Sequence, residues 1–358
     1  MNALTLRARR EEDAAHRPVP WRRMAWVTWR QHRFALIGVA VFLGALAIIL
    51  WRTGTGLHQV YAAAAGCRPA TSPGCDQLQT SFADKYVFLA NGYVLQAVPA
   101  LIGALAGAPL LARELETGTF RYAWTQSFGR WRWTLATLVP LAAAVTAAAG
   151  AFSVLLSWYY EPYLTASNQF LTGESPLGNF FVLRGVAFAA WTLAAFAVGA
   201  LVGMLIRRVV PAIAVTLAAY AALAFAVGLY LRQHYLTPVV SRNLWTPAPS
   251  AWIVSQWWTK GGRTIGQSTM RPLINRMFYQ LMPVVHATAA KGSDVKEQKG
   301  QTTIDILRYL AQHGYTQWTR YQPASRFWPF QWIETGWLLA LSVLLIAATI
   351  WLVRRRAS

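Results

Sequence analysis

Residues 185–231 read GVAFAAWTLAAFAVGALVGMLIRRVVPAIAVTLAAYAALAFAVGLYL, two apolar runs joined at Arg207-Arg208. Neither run carries a polar face at a period of 2 or 3.6, so neither reads as a half-buried strand or a surface helix. Each exceeds the ~20 apolar residues that cross a hydrocarbon core about 30 Å thick. Comparable runs lie at about Phe34–Trp51, Tyr86–Ala112, Thr134–Trp158 and Trp332–Val353. The expectation is an all-α membrane protein with six transmembrane helices. The whole composition agrees: 55% of the chain is hydrophobic, 13% is charged, and the mean hydropathy is +0.31. Span 2 is near 40 Å long at ~1.5 Å per residue. It holds Pro99 and Pro109, so a tilt or kink is expected.

The formal net charge is +20. The arginines sit at the ends of the apolar runs, not in a basic stripe with interleaved aromatics. This pattern excludes nucleic acid as the expected partner and favours an anionic bilayer surface, at roughly 1 kcal/mol per near-surface charge. The first apolar run follows more than 30 residues, too long and too charged a lead for a cleavable signal, and is expected to stay in the mature protein. Residues 1–20 are rich in Arg, Glu and Pro and read as disordered. The tryptophans and arginines of WRRMAWVTWRQHRF, 21–34, predict a helix lying in the interface, or an N-terminal extension of the first span. The cationic ends orient the chain. Eight tail arginines, Arg113, Arg121, Arg130, Arg132, Arg207, Arg208 and Arg354 to Arg356 fall on one side, against Arg52, Arg68, Lys85 and Arg184 in the short loops of the other. The positive-inside rule then puts both termini in the cytoplasm of a bacterial plasma membrane.

Four units follow: a cytoplasmic tail and interfacial helix (1–33), helices 1–5 with a cytoplasmic segment at 112–133 (34–231), an extracellular or re-entrant insertion (232–331), and helix 6 with a basic tail (332–358). An insertion of ~100 residues is a domain or functional element, not a connector. In it, SAWIVSQWWTK is expected to dip into the interface, Lys291 to Gln301 to be mobile, and 302–321 to form an amphipathic helix with Ile306, Leu307, Leu310 and Tyr309 near one face. Cys67 and Cys75, in the first outer loop, are expected to form a disulfide, two free thiols being the other reading.

Catalytic chemistry finds no support. The six histidines are scattered, and neither an HExxH pair nor a GxSxG elbow is present. Glu114 and Glu116, two apart, do not share a helix face. GGRTIGQS at 261–268 resembles a phosphate loop but has Gln267 where the lysine belongs, and it follows no predicted strand. No metal site and no ATP site is expected on the chain. Gly103-xxx-Gly107 and Gly199-xxx-Gly203 permit close helix approach, within the chain or at a dimer seam. Asn91, Gln96, Thr192, Thr216 and Tyr220 are candidate pathway residues or helix-to-helix hydrogen-bonding groups. Glu334 is a functional candidate inside a span, or an interfacial glutamate paired with a basic neighbour.

The segment from Ala112 to Trp133, ARELETGTFRYAWTQSFGRWRW, is too polar for membrane core and too aromatic for an idle linker. Phe120, Arg121, Tyr122 and Trp124 suit either a docking patch or an interfacial helix. Glu114, Gly118, Thr119 and Trp124 to Ser127 form the pattern E-x-x-x-G-T-x-x-x-x-W-T-Q-S. With MAWVTWRQHRF and PASRFWPFQWIETG (323–336), this resembles permeases of the ABC-2 type, especially a group common in actinobacteria. The resemblance implies the membrane subunit of an ABC transporter, most plainly an exporter, and not an enzyme. ATP and magnesium would sit on a separate ABC ATPase, in two copies, and no cofactor on this chain. The ATPase would couple through Glu114, Glu116, Gly118, Thr119, Phe120, Arg121, Tyr122 and Trp124. A second permease subunit is implied, a homodimer being the simplest assembly. The alternative is an ABC-type complex doing mechanical or signalling work through its extracellular domain.

Overall fold

A computed structural model describes residues 21–67, 74–75, 77–78, 82, 93–117, 130–169, 175–242, 250–289 and 305–356. Six helices among them are long and apolar enough to cross a membrane. We label the helices α1 (Trp21–Gly66), α2 (Tyr93 to Thr117, in four pieces), α3 (Arg130–Gln169), α4 (Ala187–Ile206), α5 (Val209–Ala226), α6 (Gln267–Ala289), α7 (305–312) and α8 (Phe327–Arg356). Helix α1 runs unbroken for 46 residues, so 21–33 extends the first span instead of lying as a separate element.

The breaks in α2 follow from its composition. Ala97 interrupts the helix two residues before Pro99. Gly103–Gly107 is a π turn in which the Ala108 N–H reaches back to the Gly103 carbonyl. Pro109, with no N–H, cannot return to the α ladder at that point. Beyond α5 the chain tightens through a π turn (Val227–Leu231) and a 3-10 turn (Arg232–His234).

Helix α4 is the centre of the bundle. Phe188, Phe196 and Ala200 enter one cluster with α1, α2 and α3, while Trp191, Ala194 and Ala195 enter another with α5 and α8. Leu111, Met204 and Val353 bring the ends of α2, α4 and α8 together at one end of the bundle, with Trp133 of α3 against them. This is the basic end, and the insertion leaves from the opposite one.

The insertion corrects the all-α expectation. It contains a four-stranded antiparallel sheet ordered β1-β4-β2-β3, with β1 Val239–Ser241, β2 Trp252–Lys260, β3 Arg263–Ile265 and β4 Tyr315–Gln322. SAWIVSQWWTK therefore lies in a strand: its β-branched and aromatic residues suit a pleated, half-buried surface. The predicted helix over 302–321 ends at 312. Gly314, at φ +78°, ends it, and YTQWTRYQ pairs with β2 over its whole length. Ile306 and Leu310 are buried with Trp258 and Met270 in a separate small core, Leu307 packs against it, and Tyr309 points outward at 48% exposure. GGRTIGQS does follow a strand. Gly261 and Gly262, both at positive φ, turn β2 into β3, and Gly266 then starts α6. Two successive positive φ angles make the tight hairpin that matches strand twist, and glycine adopts them without strain. The site is a hairpin, not a phosphate cradle.

Residues 1–20, Asn91, Lys291 to Gln301, and Gly118, Thr119, Phe120, Arg121, Tyr122 and Trp124 lie outside the described residues.

Candidate functional site

Glu334 lies fully buried in the third turn of α8. A carboxylate there requires donors, since an unpaired buried charge is costly. It has four. Arg232 Nε donates to Oε2 and Nη2 to Oε1, both at 3.0 Å. Trp191 Nε1 donates to Oε1 at 2.7 Å, and the Tyr235 hydroxyl to Oε2 at 3.1 Å. The two-pronged arginine contact is the geometry that makes guanidinium–carboxylate pairs strong. Trp337 Nε1 donates to the Tyr235 oxygen at 2.9 Å, and the Arg232 guanidinium stacks 4.3 Å from the Phe181 ring centre. Burial, then the adjacent carboxylate, pushes the Tyr235 phenol up, which keeps it a donor. Helices α4 and α8 and the exit from α5 are thus tied at one point.

A parallel fastening joins the sheet to the bundle. Gln322, at the end of β4, donates to the carbonyls of Leu236 and Gln233 at 2.7 and 3.3 Å. Arg326 donates to the Thr237 carbonyl at 2.7 Å. Gln331 Nε2 donates to Phe181 O while its Oε1 accepts from Ala187 N–H, both at 2.9 Å, which secures the start of α4.

The small-residue motifs face each other. A Cβ on Gly103 would lie 2.5 Å from the Ala195 carbonyl, one on Gly107 2.6 Å from Phe196 O, and one on Gly199 2.5 Å from Gly103 O. Helices α2 and α4 therefore touch backbone to backbone inside this chain.

At the basic end, α2 stops at Thr117, next to the start of α5. The Glu116 carboxylate accepts from the Val209 N–H at 3.0 Å. This satisfies one of the free N–H groups of the first turn of α5 and places a negative charge at the positive end of its dipole. Replacing Glu116 by alanine is expected to lower stability by about 0.5–1 kcal/mol, the cost of an exposed capping group. A melting series in detergent measures it. Glu114 is half-buried one turn from the end of α2.

The sequence pattern of the family described as ABC-2 membrane transporter related matches residues 35–232. The chain belongs to the ABC-2 membrane transporter related family. No curated protein and no solved structure matches it. The chain is thus a multi-pass membrane permease of an ABC transporter, a transport subunit in a family that works with an ATPase partner. The match ends at Arg232, where the insertion begins.

Within this ABC-2 permease the candidate pathway residues are scattered. Thr192 and Thr216 are buried, and their hydroxyls return to the carbonyls of Phe188 and Ala212 on their own helices. Gln96 donates to Asn179 O at 2.5 Å and accepts at its own carbonyl from the Tyr220 hydroxyl at 3.4 Å. Tyr220 packs edge-on to Trp191, 5.4 Å between ring centres. Of the five candidates among the described residues, Gln96 and Tyr220 are hydrogen-bonded directly, and Tyr220 and Glu334 meet through Trp191. Sequence reading left out Arg232, Tyr235, Trp191 and Trp337. The available signal was the need of an acid in an apolar helix for a cation, and Arg232 is the first cation after span 5. In the short loop, Cys67 and Cys75 are bonded, with Cα atoms 5.7 Å apart.

Proposed function

We propose that this permease is an exporter subunit driven by a separate ATPase that docks on 112–133, with both termini on the cytoplasmic side and the insertion outside. The observation that carries the reading is the seam at the basic end. Helix α2 leads straight into 112–133, is bonded to α5 through Glu116, and rests on α4 backbone to backbone. A push on 112–133 would move α2, α4 and the start of α5 as one body. In the simplest assembly two copies of the chain work with two ATPases, which carry the ATP and magnesium. The tryptophans and arginines of 21–33 would sit at headgroup level, where indole rings and cations are at home.

Co-purification is expected to recover an ABC ATPase, and Glu114→Arg is expected to uncouple ATP hydrolysis from substrate. An ATPase response to substrate unchanged by Glu114→Arg overturns the coupling assignment. Topology has its own check: a cysteine introduced at position 295 should label from outside intact cells, and one at 122 should not.

A second reading is favoured by one observation: the insertion is a folded unit with its own small core, fastened to the bundle through Gln322 and Arg326 and just beyond the Glu334 cluster. Such a rigid lever suits ATP-driven mechanical or signalling work. Deleting 291–301 would then abolish function without changing the flux of any substrate.

A further inference from the structure

The two faces of the insertion's sheet differ. One face carries Trp258, Ile265 and Tyr315 and is covered by α6 and α7. Residues two apart in a strand share a face, so Gln322, Arg320 and Trp318 of β4 line the other. Across from them, Trp252 pairs with Gln322 and Trp257 with Trp318. At its near end this face packs on the bundle: Gln322 is fully buried, and Trp252 joins the cluster of α4 and α8. Farther out it joins neither core cluster of the bundle. There the Trp257 and Trp318 rings lie parallel within 4°, 6.3 Å apart. Arg320 sits over Trp257 at 5.7 Å and Arg242 over Trp318 at 5.8 Å. Both arginines are exposed, and among the described residues no carboxylate accompanies them.

Depth follows from strand geometry. Arg320 is two residues and Trp318 four residues from the anchored Gln322, so they stand at most about 7 and 14 Å beyond it, at ~3.4 Å per residue. Headgroups add roughly 5–8 Å to each side of the hydrocarbon core. The arginine–tryptophan plate therefore begins within a headgroup layer's thickness of the anchored Gln322, on the sheet face that packs on the bundle at its near end. Its charge has the matching sign. From Arg232 to Gln331 the chain has twelve Lys and Arg against three acids, Asp294, Glu297 and Asp305.

We propose that this face, Arg242, Trp257, Trp318 and Arg320, seats the phosphate headgroups of anionic lipid on the insertion side of the membrane. The guanidinium groups meet the phosphates, and the indoles lie at the interface, where amphipathic rings are favoured. The inference rests on the chain's membrane-spanning character and does not depend on the direction of transport.

The test uses the full-length chain purified in detergent, with lipid binding followed by native mass spectrometry. Phosphatidylglycerol should bind more tightly than phosphatidylcholine, and less tightly as salt is raised. Arg242→Gln/Arg320→Gln should weaken phosphatidylglycerol about 30-fold, the loss expected of two near-surface charges. Arg271→Gln/Arg276→Gln removes the same charge from α6, on the opposite side, and should leave binding unchanged. Three results overturn the proposal: undiminished binding in the first variant, an equal loss in the second, or displacement of the lipid by equimolar glycerol phosphate, which would mark a site for soluble anions. If the first variant has no melting transition, the salt series on the unsubstituted chain decides, and a flat series overturns the proposal.

Discussion

Glu334→Ala is expected to destabilise the protein by about 3–5 kcal/mol, because it leaves Arg232 buried with no counter-charge. The structural reason is the number of groups released at once. Arg232, Trp191 and Tyr235 all donate to the lost carboxylate, and each is buried or half-buried. Removing one partner of a buried pair costs more than removing both. Hence Arg232→Met/Glu334→Met should lose far less than the sum of the single changes. Melting temperatures of the four proteins in one detergent measure the coupling. Additive losses, with no rescue in the double variant, would mean that the pair is not an energetic unit. A transport assay on the same set separates two roles for the cluster: a structural rivet leaves activity proportional to folded protein, whereas a moving part does not.

Gly199→Val should be the other severe change. Its Cβ would meet Gly103 O at 2.5 Å and Ala108 N at 2.8 Å, and both are backbone atoms that no rotamer can move away. Helices α2 and α4 would have to separate, opening the seam that Gly103, Gly107 and Gly203 also form. Overpacking of this kind costs about 1–3 kcal/mol for typical insertions, and the branched side chain places the effect at the upper end. Gly150→Ala in α3 is the matched control, since a Cβ there meets nothing within 4 Å. It should be neutral or slightly stabilising, because alanine is the better helix former. Equal melting losses in the two variants would show that helix propensity, not the seam, sets the effect.

The membrane bundle was legible in the sequence because its signal is local. An apolar run of bilayer length has only one way to satisfy its backbone, and that is helix. Six such runs appear in the expected order, with α4 at 187–206 and α5 from 209 within two residues of their predicted starts. The ends were less legible. Helices α1 and α3 overshoot by a dozen residues or more, because the polar and amphipathic turns at a membrane surface can stay helical without being apolar. In the insertion the sheet was not legible, whereas the helix carrying Ile306 and Leu310 was. Two of its strands have only three residues, and Tyr315–Gln322 is a strand because β2 lies beside it, some 60 residues earlier in the chain.

Composition and the spacing of apolar runs by themselves determined that this chain carries six stretches long and apolar enough to span a membrane, and that an acid at position 334 needs a cation. Tertiary structure alone decided which cation it is and what the pairing joins. Arg232 is 102 residues from Glu334, and Trp191 is 143. Partners so distant are fixed by how α4, α5 and α8 pack, because a buried charge takes whichever donors the fold brings within 3 Å, and no local pattern encodes that choice.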